Sequence, residues 1–225
     1  MNGHSAKSSD KINIGDHACS IYRNKEEQFR PVVNFFKDGL ENNQRCVYVF
    51  NDSTRDEVIS ELWKGGIDTE KFLKSGQLSV IGKNDAYLRM GSFDPDEMIS
   101  YLKEVEKKSM EDGYEGMRLT GEMTWALEKP GDLEKLIKYE IKLNNFFPNS
   151  RSAAICQYDE NRFSQDVSVE ALHRHPFVII YGKLYKDNLY FSPGEKGEGV
   201  QKSIPGRLYE LIIEDISKSR KKHNI

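Results

Sequence analysis

The sequence contains few cysteines and no long hydrophobic run, and both absences narrow what this protein can be. Its 3 cysteines lie far apart among 225 residues, at positions 19, 46 and 156, so we expect no disulfide framework and reduced thiols. No stretch approaches the roughly 18 consecutive apolar residues of a transmembrane helix. The polar residues 1–16 lack the apolar core of a signal peptide. We therefore expect a cytoplasmic protein without a membrane segment.

An excess of positive charge is also absent. The formal net charge is -3, with charged residues making up 31% of the chain and hydrophobic residues 37%. This composition gives no reason to expect direct nucleic-acid binding, and it suits a globular protein with a core of its own. The length fits one large α/β domain, or one domain with an appendage.

The third absence is a phosphate-binding loop. Residues 17–22 predict a strand and residues 26–42 predict a helix. In nucleotide-binding α/β proteins, a G-x-x-x-x-G-K-[ST] loop fills such a junction and surrounds phosphates with backbone N–H groups. Here residues 22–27 contain no glycine and no Lys-Ser/Thr pair, and they carry two carboxylates that would repel a phosphate. The junction therefore favours binding or sensing over nucleotide hydrolysis.

Strands and helices are predicted to alternate along the chain. Short apolar runs predict strands covered on both faces, at residues 17–22, 46–50, 78–81, 117–121 and 153–158. Apolar residues at helical spacing, together with capping signals, predict helices, at residues 26–42, 55–65, 69–75, 95–111 and 133–147. Residues 176–181 and 184–191 predict a β-hairpin with Asp187 and Asn188 in its turn. This order predicts an α/β fold in three layers, with a mostly parallel sheet, helices on both faces and a C-terminal β-hairpin.

The chain is predicted to divide into three segments. Residues 1–13 form a disordered N-terminal segment, residues 14–193 form the domain, and residues 194–225 form a linker and a C-terminal helix. Residues 205–220 carry apolar side chains at helical spacing and end in basic residues. We expect this amphipathic helix to pack back on the domain, to pair with a partner or to lead to an output module.

A series of short motifs resembles the MEDS family of sensory domains. In chain order they are H-x-C-x-I-Y (17–22), F-F-K-D-G-L (35–40), R-C-V-Y-V-F (45–50), R-L-T-G-E-M-T-W-A-L (118–127), Y-E-x-x-L-N (139–144), C-Q-Y-D (156–159) and H-P-F-V-I-I-Y-G (175–182). MEDS domains occur in methanogens and methylotrophs and are similar to the sensory part of dichloromethane-responsive repressors. They also look like divergent RecA-like ATPases, KaiC in particular. The resemblance implies a RecA-like fold over residues 14–193 and the perception of small hydrocarbon derivatives, coupled to transcription or to a kinase.

Polar and aromatic residues at or near the predicted strand ends are candidates for a binding site. Ligands in open α/β sheets bind outside the carboxyl ends of the strands, so we predict one crevice there for a small organic ligand. His17 and Cys19 are two residues apart on one strand and should face the same side. The candidate residues are His17, Cys19, Tyr22, Glu26, Arg118, Glu122, Trp125, Glu140, Asn144, Cys156, Tyr158, Asp159 and His175.

Several candidates have an alternative structural explanation. Glu122 either hydrogen-bonds a ligand or forms an ion pair with Arg118, and Trp125 either lines the pocket or packs in the core. Glu140 and Asn144, four residues apart on one helix face, point either to the pocket or to solvent.

Asp159 and Glu26 also have an alternative structural explanation. Asp159 either binds the ligand or caps a turn, and Glu26 is either a pocket residue or a first-turn acid of a helix. The donors that suit zinc or iron are His17, Cys19, Cys156 and His175. No metal-binding spacing supports them, and His175 before Pro176 is expected to anchor a loop, so we expect no metal and no cofactor.

The sequence favours a non-catalytic sensory domain that binds a small organic molecule of the one-carbon or halogenated type. It is expected to signal to a regulatory partner, or through self-association of its C-terminal helix. No nucleophile elbow, Ser-His-Asp order or paired-carboxylate signature indicates an enzyme. Three alternatives remain open, namely a degenerate nucleotide-binding ATPase, a Cys/His redox or metal sensor, and an assembly module.

Overall fold

The computed structural model describes residues 11–186, 188–192 and 206–219, and these residues form one sheet between two layers of helices. The strands are β1 (His17–Tyr22), β2 (Arg45–Phe50), β3 (Leu78–Gly82), β4 (Met117–Glu122), β5 (Ser152–Asp159), β6 (Phe177–Ile180) and β7 (Lys183–Tyr185). Their order across the sheet is β3-β2-β4-β5-β1-β6-β7. All neighbouring pairs are parallel except β6 and β7, which are antiparallel.

Helices cover both faces of this sheet. They are α1 (Lys25–Glu41), α2 (Arg55–Lys64), α3 (Thr69–Ser75), α4 (Pro95–Glu111), α5 (Asp132–Phe146), α6 (Gln165–Arg174) and α7 (Gly206–Ser219). Helices α1, α2 and α3 share one apolar core with the sheet, and α4, α5, α6 and α7 share the other. No helix among the described residues is long and apolar enough to cross a membrane.

Local sequence explains where these elements begin and why they are strands or helices. Asn24 caps α1, and Thr54 forms a reciprocal capping box with Glu57 at the start of α2. Asp94 caps α4, whose first residue is the proline that this position tolerates. Every residue of β1 is buried, as expected for a parallel strand covered on both faces. The predicted α/β architecture is confirmed.

The C-terminal hairpin differs from its prediction. The turn between β6 and β7 consists of Tyr181 and Gly182, with φ angles of 51° and 80°, which is the type I′ geometry of two-residue hairpins. The predicted turn at Asp187 and Asn188 is therefore wrong. Asp187 lies outside the described residues, and the side chain of Asn188 instead donates to the carbonyls of Leu172 and His175.

Helix α6 was not predicted from the sequence. Its residues, QDVSVEALHR, mix β-branched side chains with helix formers, and β-branched residues lower helix propensity. Packing decides the outcome, because Val167, Val169 and Leu172 are buried in the core under this helix. Helix α6 matters for the site described below, since His175 follows its last residue.

The predicted C-terminal helix is present as α7 and packs back on the domain. Tyr209, Ile212 and Ile216 are buried in the core that contains α6, and the Tyr209 hydroxyl donates to Glu160 Oε1 at 2.7 Å. This is the first of the three arrangements that the sequence left open. The predicted disordered segment lies outside the described residues up to residue 10. The predicted linker, which begins at residue 194, lies outside them up to residue 205.

Candidate functional site

Two neighbouring strands place three candidate residues on one face of the sheet. Strands β1 and β5 are parallel, and Cys19 lies opposite Cys156 in their register. Because side chains alternate along a strand, His17, Cys19 and Cys156 all point towards α5 and α6. All three are buried. The predicted common face of His17 and Cys19 is confirmed.

Helix α5 and the residue after α6 complete a buried polar cluster. Glu140 on α5 meets His17 and Cys156 from the sheet and His175 from the end of α6, and we call these four residues the polar cluster. Their nitrogen, oxygen and sulfur donor atoms all lie within 4.8 Å of one another. The side chains of both histidines and of Glu140 are at most 2% exposed. Glu140 therefore faces the interior and not solvent.

The hydrogen bonds around the two histidines place a proton on Nδ1 of each ring. The amide of Asn144 donates to the Arg174 carbonyl at 2.6 Å, so its oxygen faces His17 and accepts from His17 Nδ1 at 3.0 Å. His175 Nδ1 donates to the Ala171 carbonyl at 2.7 Å. Both Nδ1 atoms are donors, and the Nε2 atom of each ring is left facing the centre of the cluster.

Glu140 Oε2 lies at that centre. It is 3.1 Å from His17 Nε2 and 3.2 Å from His175 Nε2, and 3.6 Å from Cys156 Sγ. The other carboxylate oxygen, Oε1, accepts a hydrogen bond from the Tyr158 hydroxyl at 2.6 Å. Cys156 Sγ is also 3.5 Å from His17 Nε2. Three side chains therefore converge on one carboxylate oxygen, and the Cys156 thiol donates to it.

Burial and charge shift the pKa values of these groups in opposite directions. Burial alone would raise the pKa of Glu140, but the two histidines hold it well below its usual value. Burial lowers the pKa of His17, and His175 adds to this effect. Burial also opposes protonation of His175, but the charge of Glu140 outweighs it and raises the pKa of His175. The carboxylate thus stays ionised and attracts positive charge into the cluster.

Three groups of the site are in contact in the order of a Cys-His-Asn catalytic triad, with His17 between Cys156 and Asn144. A catalytic thiol needs a lowered pKa and partial exposure. Cys156 is buried, and burial raises its pKa to about 12. This thiol has the environment of an unreactive cysteine or of a metal ligand.

An apolar cavity lies next to the polar cluster, between the sheet and helices α4 and α5. Its volume is about 60 Å³. Residues that line it come from β2, β4, β5, α4 and α5, and they include Val47, Val49, Met98, Leu102, Leu119, Gly121, Leu143, Ala154 and Cys156. Cys156 therefore belongs both to the polar cluster and to the cavity wall. We refer to this space as the cavity.

Two tyrosines bring hydroxyl groups to the cavity. Tyr87 and Tyr139 line it, and an added Cβ at Gly121 would lie 2.0 Å from Tyr87 Oη, so this hydroxyl rests directly on β4. Neither hydroxyl has a hydrogen-bond partner among the described residues. Trp125 stacks on Tyr87 at 5.1 Å, and its buried indole N–H also has no partner there. Unpartnered polar groups around an apolar space are typical of a ligand site.

Glu122 lies on the opposite face of the sheet, in a second network. Its Oε2 accepts from the backbone N–H groups of Asn51, Asp52 and Ser53 at 2.7–3.0 Å. Its Oε1 accepts from Tyr48 at 3.0 Å and from Gln28 at 3.2 Å. Three successive N–H groups that point to one anion form a nest. Glu122 fills this nest itself and fixes the loop between β2 and α2.

Arg118 does not pair with Glu122, so that alternative is wrong. Its guanidinium donates to Asp38 at 2.5 Å and to Gln44 at 2.6 Å, and also to the carbonyls of Ile12 and Phe35. These contacts lie at the amino end of β4, away from Glu122 at its carboxyl end. Arg118 is thus a buried residue that ties α1 to the sheet.

The remaining candidates also do not share one crevice, which corrects the prediction of a single site. Tyr22 is buried in the core, and the Glu26 side chain is 83% exposed beside Arg30. Asp159 caps the turn after β5, accepting from the backbone and side chain of Asn161 at 2.9 Å. The structure brings together, on the α5 and α6 side, His17, Cys19, Glu140, Asn144, Cys156, Tyr158 and His175.

Sequence reasoning missed the two cavity tyrosines. Tyr139 stands beside Glu140 in the Y-E-x-x-L-N motif, so the motif was a usable signal for it. Tyr87 lies in the irregular segment between β3 and α4, where no periodicity indicates which side chain turns inward. Gly121 gave an indirect sign, because a glycine within a strand often marks a close approach.

Comparison with known proteins gives one family match. The model of the family MEDS, described as "MEthanogen/methylotroph, DcmR Sensory domain", matches residues 16–176. The transcriptional repressor DcmR of Methylorubrum extorquens is 27% identical over 169 residues, which make up 74% of this chain and 60% of the repressor. The matched region therefore spans about three fifths of that relative.

A solved structure supports the fold. The KaiC-like protein PH0186 from the hyperthermophilic archaeon Pyrococcus horikoshii OT3 superimposes with a TM-score of 0.54 at 18% sequence identity. The superposition covers 75% of this chain and 72% of that protein. The likeness concerns the fold alone, and it agrees with the predicted RecA-like architecture.

Proposed function

The chain belongs to the MEDS family of sensory domains, and we propose that it binds a small hydrocarbon derivative in the cavity and reports this binding to a regulatory protein. The cavity is the observation that carries the proposal. Its volume of about 60 Å³ is less than half of the roughly 150 Å³ of an apolar cavity that binds benzene. A molecule with few non-hydrogen atoms, of the one-carbon or halogenated type, therefore fits best.

The unpartnered hydroxyls of Tyr87 and Tyr139 favour a ligand that is not a pure hydrocarbon. A buried hydroxyl without a hydrogen bond costs free energy, and a ligand that accepts from it recovers part of that cost. A halogen or oxygen substituent would take this position, while the carbon end contacts the aliphatic wall. Binding is proposed to occur without turnover, in keeping with a sensory family.

The proposed output is a regulatory partner, as the similarity to a repressor suggests. Helix α5 lines the cavity and contacts α6, and α6 in turn contacts α7. A ligand that favours one arrangement of α5 would shift the equilibrium between two packings of this helical layer. The outer side of α7, which carries the 51% exposed Leu211, is the proposed contact for the partner.

The first test measures thermal unfolding in sealed cells with dichloromethane and with methanol as probes, and with benzene as the oversized control. We expect a saturable rise in the melting temperature with at least one small probe and none with benzene. Gas chromatography is expected to recover the probe unchanged. No stabilisation by either small probe would contradict the ligand class, and a consumed probe would contradict binding without turnover.

Matched tyrosine variants locate the site. Tyr87→Phe and Tyr139→Phe remove hydroxyls that have no partner, so we expect little loss of stability and about 2–10-fold weaker binding of the polar probe. Tyr48→Phe is the control, because this hydroxyl bonds Glu122 on the other face. It is expected to lower stability and to leave probe binding unchanged. Unchanged binding in both cavity variants would move the site elsewhere.

A further inference from the structure

We propose that the polar cluster is a four-coordinate site for a divalent transition-metal ion, with His17 Nε2, Glu140 Oε2, Cys156 Sγ and His175 Nε2 as ligands. The donor types point to Zn²⁺, which binds imidazole, thiolate and carboxylate in tetrahedral sites. This proposal does not depend on the proposed ligand, since its test measures the metal itself.

Four of the six distances between the donor atoms are close to the edges of a tetrahedron, and the other two are at most 4.8 Å. With metal–nitrogen and metal–oxygen bonds of about 2.0–2.1 Å and a metal–sulfur bond of about 2.3 Å, adjacent donors are expected about 3.3–3.6 Å apart. The distances from Glu140 Oε2 to His17 Nε2, to His175 Nε2 and to Cys156 Sγ are 3.1, 3.2 and 3.6 Å. Cys156 Sγ and His17 Nε2 are 3.5 Å apart. Four of the six edges are thus already near the required length.

The hydrogen bonding leaves a place for positive charge at the centre. Both histidines use Nδ1–H to donate outwards, to Asn144 and to the Ala171 carbonyl, so both Nε2 atoms face the Glu140 carboxylate. His175 Nε2 is buried and has no hydrogen-bond partner in favourable geometry among the described residues. Without a metal ion, a proton on His175 Nε2 supplies the positive charge that the carboxylate attracts. A metal ion would replace that proton and bind both Nε2 atoms and the carboxylate together.

The surroundings provide the outer hydrogen bonds that metal sites need. A metal-binding histidine usually donates its other N–H to a carbonyl or carboxylate, which fixes the ring and raises its basicity. Asn144 does this for His17, and its own amide is held by the Arg174 carbonyl. Ala171 does the same for His175. Tyr158 donates to Glu140 Oε1 and leaves Oε2 free to bind the ion.

The site is closed, and it lies in the wall of the cavity. All four ligands are buried, as in structural zinc sites with four protein ligands. Cys156 also lines the cavity, so a bound ion would hold β1, β5, α5 and the end of α6 in place around it. The structure assigns the ion a positioning role for the cavity wall.

The first experiment measures metal content of the full chain by inductively coupled plasma mass spectrometry, after expression with added zinc and desalting. We expect one zinc per chain in the wild type and in Cys46→Ala, whose buried cysteine lies on the other face. Loss of at least nine tenths of the metal is expected in Cys156→Ser and His175→Gln. Wild-type protein that stays metal-free even after incubation with zinc would overturn the proposal, and so would equal zinc in all four proteins.

Cobalt substitution tests the ligands without relying on variants that fold poorly. Co²⁺ bound to wild type is expected to show the visible bands of a tetrahedral ion and a thiolate charge-transfer band in the near ultraviolet. Tyr158→Phe keeps all four ligands and removes one outer hydrogen bond, so we expect the same spectrum with about 10–100-fold weaker affinity. An octahedral spectrum, or one without the thiolate band, would exclude the assigned site.

Discussion

Glu122 belongs to a recognisable motif and yet does not face the cavity. Its two oxygens accept five hydrogen bonds, three of them from successive backbone N–H groups. A carboxylate in that nest takes the place that an anion would occupy elsewhere. The residue is therefore expected to stabilise the loop between β2 and α2 and to leave the cavity on the opposite face unaffected.

This expectation is tested by Glu122→Gln. The amide keeps the shape but replaces one acceptor oxygen by an N–H₂ group that faces backbone donors, so we expect the free energy of unfolding to fall by about 2–3 kcal/mol. Urea denaturation measures the loss. Glu104→Gln, at an exposed position of α4, is the control and should change stability by no more than about 0.5 kcal/mol. A stable variant that no longer binds the small probe would instead make Glu122 a ligand residue.

At the scale of elements, the strands sort the candidate residues onto two faces. On β4, Arg118 and Glu122 point towards α1, whereas on β5 Cys156 and Tyr158 point towards α5. Residues two or four positions apart on one strand therefore share a face, and the two pairs belong to different networks. Helix α5 covers the face that carries the polar cluster, and it supplies both Glu140 and Asn144 on its inner side.

Helix α7 is attached by its apolar side, and two adjacent residues test this. Ile212 is 2% exposed, whereas Leu211 is 51% exposed. Ile212→Ala removes buried contacts between α7 and the core under α6. We expect the free energy that holds α7 on the domain to fall by about 2–4 kcal/mol. Leu211→Ala should change stability by no more than about 0.5 kcal/mol.

The measurement is hydrogen–deuterium exchange of peptides from α7. Faster exchange confined to α7 in Ile212→Ala, with wild-type rates in Leu211→Ala, is the expected result. Equal exchange in both variants would show that the helix is not held by its buried face. A partner that contacts the outer side should also bind more weakly to Leu211→Ala.

For the whole molecule, the sheet separates a supporting half from the half that contains the proposed binding site. Helices α1–α3 pack on the face that contains the Glu122 and Arg118 networks. In these networks, Glu122 and Arg118 hydrogen-bond to other groups of the protein. The opposite half contains the cavity, the polar cluster and the helices that lead to α7. A ligand or metal ion should therefore act on one helical layer.

Hydrogen exchange with and without bound probe tests this asymmetry. A ligand at about 100 times its Kd stabilises the folded state by about 2.7 kcal/mol, and it suppresses most strongly those local openings that would expose its site. We expect slowed exchange in α4, α5 and α6 and smaller changes in α1–α3. Protection that is equal on both faces, or greater in α1–α3, would contradict the division of the molecule into two halves.

The sequence by itself determined the layered α/β architecture and the family, because apolar runs, helical periodicity and capping residues act locally and are readable in order. It also named Glu140, Asn144, Cys156 and both cluster histidines, since strand alternation and helix spacing fix which neighbours share a face. Only the tertiary structure decided which face each candidate joined and that the two Nε2 atoms converge on Glu140. That convergence depends on α6, on strand order and on hydrogen bonds between residues up to 139 positions apart, and no local pattern in the chain encodes these relations.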